Sequence, residues 1–120
     1  MNKIQKAKHN QENRRKKIRA GETWSINDAA TRGHKSTITG IKDNEIRHIP
    51  RTHVNRTRNM KNIELQENPQ KGDSRKAYIV PSVQHTMAKY VGKKQDGEDI
   101  KNPIDKSIIR HLKKQDKNKK

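Results

Sequence analysis

Positive charge is piled at the two ends of this chain and nearly balanced between them, which confines a compact fold to the middle. Residues 1–20 carry eight Lys or Arg and one Glu, residues 101–120 carry eight and two Asp, and residues 21–100 carry fourteen against ten acids. The three pieces hold +7, +6 and +4, so thirteen of the seventeen net charges occupy forty residues. Like charges at that density repel one another and oppose collapse. The middle is also short of core material, with no Phe and with Trp24, Tyr78 and Tyr90 as the only aromatics. At 120 residues and 26% apolar content, the chain has room for one small domain.

Residues 3–19 are polar almost throughout, with only Ile4, Ala7 and Ile18 at loosely helical spacing and the run Arg14-Arg15-Lys16-Lys17 near the end. So thin a stripe does not hold a helix on a core. Residues 1–20 therefore read as a basic arm, flexible or marginally helical when free and ordered when laid on phosphate. Residues 21–113 read as a small β-rich domain with a C-terminal helix, and 114–120 as a basic tail.

Within the middle, Glu22-Thr23-Trp24-Ser25-Ile26-Asn27 alternates polar and apolar, a strand pattern. The β-branched run 35–42 and its return over 45–49 flank Asp43-Asn44, a two-residue turn that tolerates positive φ, so a hairpin is expected, ended by Pro50. Residues 51–61 hold four cations and little to bury, and read as an exposed basic loop. A short strand at 63–65, turns over 68–73, and an apolar strand at 76–80 continuing past Pro81 toward Val83 follow. Residues 92–101 read as a Gly- and acid-rich loop. Asn102-Pro103-Ile104-Asp105 opens a helix, with Asn as cap, Pro in the first turn and Asp105 accepting amide protons there. Ile104, Ile108 and Leu112, with Ile109 beside them, give it an apolar face ending near Lys113. Short strands closed by one helix predict a mainly β fold, a small curved antiparallel sheet or barrel.

The charge points to a polyanion. A phosphate backbone offers condensed counterions whose release drives association, and neutralising six phosphates makes affinity fall about a thousandfold between roughly 50 and 200 mM salt. A solubility device or low-complexity tail is the bland alternative. Membrane-surface helices need a bulky apolar face, which neither arm supplies. Without cysteine there is no disulfide framework or thiolate metal site, no His pair has the spacing of a helical zinc motif, and no phosphate-binding glycine loop occurs. No cofactor or metal is expected. The start lacks the apolar run of a signal peptide, so a cytoplasmic protein is predicted, and the Lys, Asn and Ile bias suggests an AT-rich bacterial or phage gene.

The order of these segments resembles the MazF/PemK family of ribonuclease toxins. The words that carry it are Gly21-Glu22-Thr23-Trp24, His34-Lys35-Ser36-Thr37-Ile38, Ile49-Pro50-Arg51-Thr52-His53, the stretch Ala77 to Gln84, and a last helix over 103–113. The likeness spans about 22–113 and implies an SH3-like barrel that cleaves RNA without a metal. It also implies Lys35 and Thr52 at the positions that serve cleavage. Lys35-Ser36 stands where the family has Arg-Pro, and a lysine lacks the planar fork that grips phosphate in two directions. An acidic, antitoxin-like protein partner and a homodimer are further expectations.

Metal-free cleavage needs a proton acceptor, a donor for the leaving oxygen and cations around the phosphorus. His48, His53 and His85 can supply the first two, Thr52 a hydrogen bond, and Lys35, Arg51, Arg56 or Arg58 the third. The catalytic set expected is Lys35, Thr52 and His53. The nucleic-acid-binding set is Arg14, Arg15, Lys16 and Lys17 in the arm, with Arg51, Arg56, Arg58 and Lys61 in the basic loop. Trp24 and Tyr78 can stack on a base, although in a chain with three aromatics each is the more natural core residue. The alternative to an RNA-directed enzyme is a non-enzymatic DNA-binding or nucleoprotein factor of phage or plasmid origin.

Overall fold

The hairpin forms where β-branched residues flank Asp43-Asn44. Strand β2 (Lys35–Lys42) pairs with β3 (Glu45–Thr52), and Asp43 takes the turn at φ 55°. These lie in a computed structural model that describes residues 2–3 and 16–118. The remaining strands are β1 (Thr23–Ile26), β4 (Arg56–Thr57), β5 (Met60–Lys61), β6 (Ile63–Glu64), β7 (Tyr78–Ile79), β8 (Gln84–Met87) and β9 (Val91–Lys94), and one helix, α1 (Pro103–Lys117), follows them.

All pairings among the described residues are antiparallel. Seven strands make one sheet in the order β6-β7-β3-β2-β1-β9, with β8 also on β3, and β4 with β5 forms a separate ribbon. The fold is mainly β with a C-terminal helix, and the sheet stays open rather than closing into a barrel: β6 and β9 end it without meeting.

Strand β3 is the spine. It lies against β2 on one side, and on the other its first half pairs with β8 and its last two residues with β7. Pro50 does not end it, contrary to expectation. The Pro50 carbonyl accepts from the Val80 amide at 3.0 Å, so its missing N–H would face the same side. That is the point where the neighbour changes from β8 to β7, so no ladder donor is lost there. For the same reason the apolar run at 76–80 does not continue through Pro81: the chain bends, and β8 returns to β3 one register block away.

Two buried clusters result. One joins Ile18, Trp24, Ile26, Ile38, Ile46, Ala88 and Val91. Ile18, assigned to the arm by its sequence, is completely buried here. The other joins Ile49, Leu65, Ala77, Ile79, Ile100 and Leu112, with Ile108 and Ile109 packed against it. Helix α1 covers this second cluster. Asn102 caps it as expected, accepting from the amides of Ile104 and Asp105. Two details differ from the sequence reading. The helix runs on to Lys117, and Ile104 is exposed while Asp105 is completely buried. Asp105 accepts from the amides of Gln66 at 2.8 Å and Glu67 at 3.3 Å, stitching the helix to the segment after β6.

The loop expected over 92–101 begins instead as strand β9. Trp24 pairs with Lys94 and Ile26 with Val91, so one extra residue bulges out of β9. Gly92 makes that bulge possible, because a Cβ there would collide with the Ser25 hydroxyl and the Asn27 carboxamide. No helix among the described residues is long and apolar enough to cross a membrane.

Candidate nucleic-acid interface

The basic stretch after β3 is not an irregular loop. Arg56 pairs with Lys61 and Thr57 with Met60, making a ribbon whose tip, Arg58-Asn59, turns with Arg58 at φ 55°. A two-residue hairpin turn requires such a positive φ, and Arg58 takes it as Asp43 does in the first hairpin. Asn62, buried, staples the base of the ribbon: its carboxamide donates to the Val54 carbonyl at 3.0 Å and to the Thr57 hydroxyl at 2.8 Å. Arg56, Arg58 and Lys61 are exposed, and none has an acidic partner among the described residues.

Between ribbon and sheet lies a cleft of about 810 Å³, walled by Val54, Arg58 and Met60 on one side and Pro50, Val80 and Gln84 on the other. Val54 and Met60 are 53% and 41% exposed, an apolar surface that a ligand can cover. A second recess of about 380 Å³ adjoins it, and His34, Arg51 and Thr52 line both. Lys35, Thr52 and His53, the expected catalytic set, all line this recess. The structure therefore brings Lys35 together with Thr52 and His53, which the sequence places in two separate words.

Each is already engaged. The Lys35 ammonium contacts the Glu98 carboxylate at 2.7 Å and the Gln70 carboxamide oxygen at 3.2 Å. His53 donates from Nδ1 to the Lys76 carbonyl at 3.2 Å, with Nε2 3.5 Å from Asp73. The Arg75 fork grips Asp73 through two contacts of 2.9 and 3.0 Å and holds that carboxyl well below the usual carboxylate range. The Thr52 hydroxyl accepts from the Val54 amide at 3.3 Å.

Arg51 does not belong to an exposed patch. It is 8% exposed, donates from one guanidinium nitrogen to the Glu98 carbonyl at 2.9 Å, and buries the other without a partner among the described residues. Burial lowers its pKa, and the nearby carboxylates of Glu98 and Asp99 oppose that. His48 is also removed from chemistry. It is completely buried, shares a 2.9 Å hydrogen bond with the Ser36 hydroxyl, and burial pushes its imidazole down to about 4. His85 lies elsewhere, donating to Asp116 of α1 at 3.0 Å beside Glu45. Arg14 and Arg15 fall outside the described residues, whereas Lys16 and Lys17 are helical and exposed.

Trp24 is core, its indole N–H donating to Glu22 at 3.2 Å, and Tyr78 is half-buried in β7. Neither lines the clefts. A group the sequence reading left unassigned is on α1, where Lys106, Arg110, Lys113 and Lys117 follow one another at three- and four-residue steps, with Lys114 next to Lys113, and none of the five has an acidic partner among the described residues. That spacing lines them along one side of a helix, and it was available once 114–117 was read as helix. No group of His, Cys, Asp and Glu suited to a metal occurs among the described residues. Comparison with known families found no family model that matches this chain and no curated protein similar to it.

Proposed function

We propose that this protein binds single-stranded nucleic acid, RNA in preference, with phosphates on the β4–β5 ribbon and bases against the apolar wall of the cleft. The observation that carries this reading is the ribbon itself: three exposed cations, without an acidic partner among the described residues, on a stapled hairpin beside exposed Val54 and Met60. Bases show their apolar faces only when unstacked, which favours unpaired strands. Preference for RNA rests on the MazF/PemK likeness, as does an SH3-like ancestry for the open sheet.

Metal-independent cleavage of RNA is the activity this site would host. His53 would take the 2'-hydroxyl proton as the 2'-oxygen bonds to phosphorus and would return it to the 5'-oxygen as that P–O bond breaks, Lys35 would face the charge growing on phosphorus, and Thr52 would supply a hydrogen bond. Their shared recess supports the assignment. The second reading, a factor that coats DNA without cutting, is favoured by the helix stripe from Lys106 to Lys117, a surface suited to a continuous backbone and away from the recess residues in sequence.

One panel tests both. Single- and double-stranded RNA and DNA are titrated in EDTA at several salt concentrations and read for retention and cutting, with the wild type and with an R56Q/R58Q/K61Q variant. Single-stranded RNA is expected to bind best and to be cut. The variant is expected to lose affinity for all sequences alike, with a log–log salt slope shallower by about two. An unchanged slope overturns the ribbon assignment, and binding without any cutting favours the second reading.

A further inference from the structure

The recess beside Thr52 contains a carboxylate where an anionic ligand would sit. Glu98 comes from the segment between β9 and α1, and its side chain is 15% exposed. Its main chain is fixed from two sides: the carbonyl accepts from the Thr23 hydroxyl and from Arg51, both at 2.9 Å. The neighbouring Asp99 carboxylate accepts from the Thr23 amide at 2.9 Å. With the backbone held in this way, the Glu98 side chain is the part free to rotate, and it is the part that meets the Lys35 ammonium at 2.7 Å.

Beside it, the second nitrogen of the Arg51 guanidinium is sealed from solvent and has no acceptor among the described residues. Arg51 is 8% exposed and lines both clefts. A buried donor left unmatched costs about 1–3 kcal/mol, more when charged. At Arg51 that cost falls on a guanidinium, at the junction of two recesses, next to a lysine held by a carboxylate. A tetrahedral anion has more acceptor oxygens than a carboxylate and can serve an ammonium and a guanidinium together.

We propose that Glu98 is an internal stand-in for a phosphodiester: it occupies the anion position between Lys35 and Arg51 until a phosphate of a bound strand displaces it. This rests on the nucleic-acid reading above and adds to it a position for one phosphate and a built-in competitor. The affinity of the site is then set by the exchange of Glu98 for phosphate, since each excludes the other.

The test is binding of a short single-stranded RNA at fixed salt by E98Q, E98A and the wild type, with thermal unfolding of each. Both variants are expected to bind about fivefold tighter or more, the lower end of coupling between linked sites. Both are expected to unfold at lower temperature, because the Lys35 ion pair is gone. Gain of affinity with loss of stability is the signature, since a purely structural Glu98 would lose both. D96N supplies the control for net charge: Asp96 is 86% exposed and its removal changes the charge equally. In a K35Q background the gain from E98Q should vanish.

An affinity for folded E98Q that is unchanged, weaker, or no greater than that of D96N overturns the proposal. E98Q keeps the volume and an acceptor oxygen, so it carries the test if E98A does not fold. Failure of the wild type to hold RNA at low salt sinks the underlying reading instead, which keeps the two failures apart.

Discussion

His48 illustrates how one buried side chain ties stability to pH. Its imidazole is completely enclosed, and burial is the main force holding its pKa near 4, with the Asp28 carboxylate pulling upward in part and His85 pushing down. In the unfolded chain an imidazole titrates near 6.5. The folded state therefore binds fewer protons at this position than the unfolded state across that interval. Stabilisation from a neutral His48 is complete above pH 6.5 and is lost as pH falls toward 4, by about 3 kcal/mol over the whole span. Urea titrations between pH 7 and 4.5 are expected to show a falling midpoint in the wild type and a flatter one in H48Q. Glu22 and Asp28 also have lowered pKa values, so their contributions fade as pH falls through the ordinary carboxylate range toward those lowered values, and they overlap the histidine only at the acid end of this window. Equal slopes for wild type and H48Q would refute the assignment.

At the level of elements, the join between α1 and the sheet depends on a carboxylate more than on the apolar residue beside it. Asp105 meets two amides of the 66–67 segment from a completely buried position, while Ile104 faces outward at 57% exposure. D105A is expected to lower stability by about 3 kcal/mol in chemical denaturation, since it leaves two donors unmatched, whereas I104A should change it by a few tenths. The hairpin and the helix cap were legible in the sequence because turn chemistry and capping are local: Asp43-Asn44 and Asn102-Pro103 specify their geometry within a few residues. Strand β9 was not, because Val91-Gly92-Lys93-Lys94 has one apolar residue and becomes a strand only through its partner β1. The inward face of α1 was misread at its first turn for a similar reason, as the amides that hold Asp105 come from a distant part of the chain. The candidate site was half legible. Lys35, Thr52 and His53 do share a recess, but the burial of Arg51 depends on a Glu98 carbonyl that no local pattern announces.

Across the whole molecule, the charge imbalance and the folded unit overlap less neatly than composition suggests. Ile18 is part of the first buried cluster, so the fold reaches back into the segment expected to be a basic arm. Deleting residues 1–15 removes five Lys or Arg and one Glu while sparing Ile18. The truncated protein is expected to unfold at nearly the wild-type temperature and to bind every sequence more weakly, with a salt slope shallower by about three. A loss confined to one sequence would mean that this segment reads bases. Deleting through residue 19 should in addition destabilise the protein, by roughly the 2–5 kcal/mol of losing a large core side chain.

The pairing of β1 with β9 has a bearing on how the protein is made. Trp24 and Ile26 are translated early, yet the strand that covers their edge ends at Lys94. On the ribosome the nascent chain must carry an open edge and an uncovered tryptophan through most of its synthesis, and contacts that join distant parts of a chain form slowly. During that interval the emerging basic residues sit beside ribosomal RNA, the nearest polyanion in the cell, before the cleft that would select a ligand has taken shape.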